Sequence, residues 1–117
     1  MAFGEDTKII AYYFHGNARC VTCYKMEQYA KEAIEENFKD ELVKGLLVFK
    51  EVNIEEKENK HFVDEYQLYT KTLVISYIED GKEIKHKKLT KIWEYVRDKK
   101  KFFNYVTTEI STYLKDI

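Results

Sequence analysis

Apolar positions along this chain recur in two rhythms, and the switches between them mark out the elements. Lys8-Ile9-Ile10-Ala11-Tyr12-Tyr13-Phe14 is a β-branched and aromatic run closed by the turn-like His15-Gly16-Asn17, the pattern of a buried strand. From Cys23 onward Met26, Ala30, Ala33, Ile34 and Phe38 return every three or four residues, while Lys25, Glu27, Lys31, Glu32 and Glu35 fill the opposite face. That spacing predicts an amphipathic helix over residues 21–38. Residues 46–54 read as a second strand, and Phe62, Val63, Tyr66 and Tyr69 form a second helical stripe after the acidic start Glu55-Glu56. Residues 72–78 and 82–86 flank Asp80-Gly81, a dipeptide favoured in tight hairpins because both central residues take positive φ. Ile92, Trp93 and Val96, then Phe102, Phe103, Val106, Ile110, Tyr113 and Leu114, mark a last helix with a break near residues 97–101, where the register changes. The order is β-α-β-α-β-β-α. A parallel first half joined to a hairpin second half implies a four-stranded mixed sheet covered by helices on both faces, an α/β architecture.

Composition narrows the picture. The chain has 117 residues, 44% of them apolar, 15% aromatic and none proline; a domain of this length buries roughly two thirds of its unfolded surface without a disulfide staple. No linker or internal repeat interrupts residues 1–117, so they read as one ordered domain. Twenty Lys and Arg nearly cancel twenty-one Asp and Glu, and no global field points to nucleic acid or a membrane surface. The longest apolar stretches, residues 45–49 and 73–78, are far too short to cross a bilayer. Met1-Ala2-Phe3-Gly4-Glu5-Asp6 lacks a signal-peptide pattern, which favours the cytoplasm and leaves export open if a leader has been removed.

The candidate chemistry sits at Cys20-Val21-Thr22-Cys23, which holds both cysteines of the chain at the junction of the first strand and the first helix. Position matters more than spacing here. Free backbone N–H groups and the macrodipole at a helix N-terminus favour an anion, so a thiolate at Cys20 is stabilised there, and Arg19 adds a positive charge beside it. Cys23, one turn along on the apolar stripe, is the less exposed partner within reach of the Cys20 sulfur, which suits a resolving thiol.

Tyr13-Phe14-His15-Gly16, the Cys20–Cys23 pair, Val52-Asn53-Ile54, and Tyr66-Gln67-Leu68-Tyr69-Thr70-Lys71-Thr72-Leu73-Val74 leading to Glu79-Asp80-Gly81-Lys82 together resemble the thioredoxin superfamily over nearly the whole chain. More narrowly, Tyr12 to Gly16 with Arg19-Cys20, and Tyr69 to Thr72, resemble small bacterial thioredoxin-like proteins described as nitrophenyl compound nitroreductase subunits in arsenic-linked gene clusters. The resemblance implies a thioredoxin-like fold and a thiol–disulfide oxidoreductase whose only redox group is the Cys20–Cys23 disulfide, with no separate cofactor. It also implies a protein thiol partner or a larger reductase to which this chain supplies electrons, since the chain carries no flavin-binding signature. Two departures stand out. Where the family has a cis-proline beside the disulfide, this chain has Thr70 or Lys71, which line the site and alter its peptide-docking edge; whether that peptide is cis or trans stays open at a cost of roughly 2.5–4 kcal/mol for a non-proline cis bond. The buried acid of the family's first strand is replaced by Tyr13 or Phe14. His15 is then the candidate proton relay or thiolate partner, against the plainer reading of a solvated loop histidine.

Other readings remain. A C-x-x-C is half of a zinc site, but His61 and His86 lie in a helix and a hairpin without metal spacing; a dithiol also captures soft ions such as trivalent arsenic. An inert structural disulfide has little to contribute across so short a loop. The segment 82–101, with nine Lys and Arg against three acids, offers a docking face for a partner protein, or simply a solvated basic surface.

Overall fold

The computed structural model describes residues 7–117; the leader reading of Met1 to Asp6 falls outside them. Four strands form one sheet in the order β2-β1-β3-β4: β1 Thr7–His15, β2 Leu47–Asn53, β3 Thr72–Glu79 and β4 Lys82–Lys88. β1 runs parallel to β2 and antiparallel to β3, and β3 runs antiparallel to β4. The helices are α1 Val21–Asn37, α2 Lys39–Lys44, α3 His61–Tyr66, α4 Ile92–Tyr95 and α5 Lys99–Leu114. This is the four-stranded mixed sheet of a thioredoxin-like α/β fold, with the β1–α1–β2 crossover placing the start of α1 at the carboxyl end of β1.

Strand alternation divides the core. Ile9, Ala11 and Tyr13 of β1, with Leu73, Ile75 and Tyr77 of β3, face Met26, Ala30, Ala33 and Ile34 of α1 and Phe102, Val106 and Ile110 of α5. On the opposite face Phe14 and Val74 pack with Tyr66 and Leu68, and Tyr12 and Phe62 lie against them. The stripes read from sequence for α1 and α5 hold the buried residues of those helices, while Trp93, read on the last stripe, is 39% exposed; each large apolar side chain contributes about 1.5–3 kcal/mol when fully removed from water. The hairpin turn is also as read: Asp80 and Gly81 both hold positive φ, 53° and 80°.

Three boundaries differ from the reading. The second helical stripe stops at Tyr66, because Gln67 takes a left-handed conformation (φ 56°) and its N–H caps the carbonyl of Val63. Tyr69, expected on that stripe, swings out to 86% exposure. The C-terminal break comes at residues 96–98, and Lys99 to Lys101 already belong to α5, whose cap Asp98 accepts from the Lys101 N–H at 3.2 Å. Helix α2 was not foreseen: it is six residues long and ends on Gly45 at φ 76°, too short to show a period. Among the described residues no helix is long and apolar enough to cross a membrane.

Candidate active site

β1 ends and α1 begins within five residues, and that turn sets the site. Cys20 has extended backbone (φ −101°, ψ 172°) and caps α1 with its own side chain: the Cys23 N–H donates to the Cys20 sulfur at 3.3 Å. A sulfur occupies the place where a serine or aspartate oxygen ordinarily receives the orphan N–H groups of a helix start. The two Sγ atoms lie 2.7 Å apart, with Cys20 exposed and Cys23 buried. Met26 and Ala30, on the stripe of Cys23, anchor this end of the helix in the core.

These contacts lower the pKa of the Cys20 thiol. The largest effect is the hydrogen bond from the Cys23 thiol, followed by the Cys23 backbone N–H, with the Thr22 N–H adding to them. The Cys20 thiolate is thus held by the first turn of its own helix. Alkylation of Cys20 should consequently titrate below the ordinary thiol value of about 8.5. Rate against pH should rise with that lowered midpoint, since the thiolate is the reacting form. A midpoint at the ordinary value would remove this electrostatic account.

The remaining residues singled out from sequence are placed as follows. Arg19 pairs with Glu27, its guanidinium 4.1 Å from the centre of the Tyr24 ring. His15 is the last residue of β1 and is buried, not solvated: Nε2 meets the Glu51 carboxylate and Nδ1 lies 2.7 Å from the Gly16 carbonyl oxygen. Glu51 reaches it because the parallel register sets Glu51 opposite Tyr13, on the same side of the sheet. Thr70 is exposed and Lys71 half-buried, and together with His15, Gly16, Glu55 and Tyr69 they line a cleft of about 230 Å³. The Thr70–Lys71 peptide is trans, as is every peptide bond described. None of these charges ranks among the main influences on the Cys20 thiol. Lys71→Met should therefore leave the alkylation midpoint where it is; an upward move that vanishes in high salt would show that the ammonium acts on the thiolate after all.

Two further residues hold the site together, Tyr13, which stands where the family has its buried acid, and Trp93, which carries no site signal in the sequence. The Tyr13 hydroxyl donates to the Cys23 carbonyl at 2.9 Å, tying the buried half of the motif to β1. Burial holds this phenol well above its ordinary pKa, so it stays a donor across the physiological range. Trp93, on α4, donates its indole N–H to the Lys71 carbonyl at 2.9 Å, bridging the loop before β3 to the helix pair after β4. Tyr13 was recognisable as facing α1 from strand alternation; Trp93 was not, since 22 residues separate it from its acceptor. His61 and His86 pair with Glu65 and Glu83, and among the described residues no three His, Cys, Asp or Glu gather as metal ligands.

No protein-family model matches the sequence, and no curated protein matches it. Solved structures similar to it include thioredoxin from Fasciola hepatica, at 18% identity over 77% of this chain and 79% of that one, with a TM-score of 0.45. The germline-specific thioredoxin Deadhead from Drosophila melanogaster matches at 16% identity over 72% and 70%, TM-score 0.46. Thioredoxin f2 from Chlamydomonas reinhardtii matches at 13% over 73% and 69%, TM-score 0.46. At such TM-scores these likenesses carry no argument, and the fold rests on strand order and direction.

Proposed function

We propose that this chain is a thiol–disulfide oxidoreductase in which Cys20 attacks and Cys23 resolves. The observation that supports it is an exposed, hydrogen-bonded thiol at the N-terminus of a long helix, with a buried second thiol within bonding reach. The Cys20 thiolate attacks one sulfur of a substrate disulfide, forming a Cys20–substrate bond and expelling the other substrate sulfur as a thiolate that takes up a proton. Cys23 attacks the Cys20 sulfur and its proton passes, directly or through water, to the second substrate sulfur, which leaves as a thiol as Cys20–Cys23 closes. Two electrons pass from the dithiol to the substrate disulfide with two protons, one from Cys23 and one from water, and an external dithiol or reductase restores the reduced form. The partner in this reading is a protein disulfide or a larger reductase; support for the latter is the resemblance carried by Tyr12 to Gly16, Arg19-Cys20 and Tyr69 to Thr72.

Hydrogen bonds that favour the Cys20 thiolate stabilise the reduced form, which makes the disulfide a better oxidant than an untuned pair. Equilibration against glutathione buffers tests the proposal directly. The expected result is one reversible two-electron transition. A chain that retains one zinc or arsenite ion per molecule and shows no such transition would be a metal binder instead.

A further inference from the structure

Beside the motif lies a second hollow of about 230 Å³ lined by Thr22, Lys25, Trp93, Val96 and Arg97. Its composition is one-sided: two cations, an indole, a valine and a threonine, with no acid. Elsewhere four cations are neutralised by acids, Lys85 by Asp116, Lys87 by Glu109, Lys99 by Glu32 and Arg19 by Glu27. Among the described residues neither Lys25 nor Arg97 joins an ion pair. The nearest acid in sequence to Arg97, Asp98, is taken up in capping α5. The wall is held in place, since the Trp93 indole N–H is fixed to the Lys71 carbonyl and its ring is left 39% exposed. Around the same helix start Val21 and Tyr24 stand out into solvent at 84% and 57% exposure.

We propose that this hollow is a docking subsite for an acidic segment of the substrate polypeptide, next to the substrate cysteine that Cys20 engages. The inference rests on the exchange reading above. Charge complementarity selects the occupant: an Asp or Glu side chain offers its carboxylate to Lys25 and Arg97, while its backbone and methylenes lie on the Trp93 face. Lys25 follows Cys20 by five residues, a rise of about 7.5 Å along α1. An extended strand covers that in two to three residues at about 3.3 Å each. The preferred substrate therefore carries an acid two or three positions from its reactive cysteine.

The test uses the reduced, full-length protein and single-cysteine peptides supplied as symmetrical disulfides, identical except for Glu, Gln or Lys at the second and third positions from the cysteine. Single-turnover reduction rates are measured at low and high salt, with uncharged 2,2′-dithiodipyridine as a probe that has no peptide to dock. The Glu peptide should react about three- to tenfold faster than the Gln peptide at low salt, as expected for two solvent-exposed charge contacts, and the advantage should shrink in high salt. In the Lys25→Gln/Arg97→Gln variant the Glu-to-Gln ratio should fall to about one, with the Cys20 alkylation profile of the wild type. Equal rates for the three peptides, a preference for Lys, or a ratio that survives in the variant would overturn the subsite while dithiodipyridine reduction leaves the exchange reading standing. A variant profile shifted on the pH axis would also overturn it, since the two cations would then act on the thiol and not on the peptide. Failure to reduce both peptides and dithiodipyridine would bring down the exchange reading, and the subsite with it.

Discussion

Cys23→Ser is expected to accumulate a mixed disulfide at Cys20 with added glutathione or peptide, close to one per chain, whereas Cys20→Ser accumulates almost none. The asymmetry follows from exposure and from the direction of the hydrogen bonds. Only Cys20 is open to a bulky disulfide, while Cys23 is 1% exposed beneath the first turn of α1. With the resolving thiol gone, attack still occurs and release does not. Turnover should drop to the uncatalysed background in both variants, so trapping, read by intact mass, separates their roles. The hydroxyl of Cys23→Ser still has a proton to donate, but Cys23→Ala does not. The Cys20 midpoint should therefore move up toward the ordinary thiol value in the alanine variant, because the largest contact holding the thiolate is lost. Equal trapping in Cys20→Ser and Cys23→Ser would mean that the helix-terminus argument assigns the nucleophile wrongly.

The largest effect on stability is expected far from the thiols, at Phe102. Its ring is fully buried between α5 and α1 and meets Tyr29 edge-on, 5.6 Å between centroids. Phe102→Ala leaves a ring-sized void that rigid neighbours fill only in part, and should cost about 3–5 kcal/mol. Against a total of roughly 5–15 kcal/mol for an ordinary domain that is a large share, and Tm should fall by about 10–20 °C. In the molecules that remain folded, the alkylation profile of Cys20 should be that of the wild type, because the contacts on its sulfur come from residues 22 and 23. A profile that moved with stability would show that α5 sets the geometry of the motif as well as holding it in place. Urea unfolding combined with alkylation at several pH values measures both.

How much could be read in advance depended on range. The buried faces of α1 and α5 and the Asp80-Gly81 turn follow from rules that act within a turn or a strand, and they appear where the periodicities put them. The end of α3 escaped because its left-handed cap is Gln67, a residue type that does not announce a stop as glycine does. The fate of Arg19 escaped for a different reason: its partner Glu27 is eight residues on, outside the three- and four-residue spacings by which charges on a helix find each other. The burial of His15 depends on a parallel register that sets Glu51 on its side of the sheet, and nothing local encodes which strand lies next to which.

The amino-acid sequence by itself determined the cysteine pair at a strand-to-helix junction, with the first thiol at the cap and the second on the buried stripe. Hydrogen bonds from residues 22 and 23 then reach Cys20 across a single turn, so the chemistry that lowers the thiol pKa is local. Tertiary structure alone decided where the surrounding charges and rings go. Arg19 is drawn to Glu27, His15 to Glu51 and the Trp93 indole to the Lys71 carbonyl, while Lys25 and Arg97 beside the motif join no ion pair among the described residues. The His15 and Trp93 placements require sheet register or helix packing to bring together groups distant along the chain. A carboxylate recruits whichever cation the fold sets within reach, and adjacency in sequence has little weight in that choice.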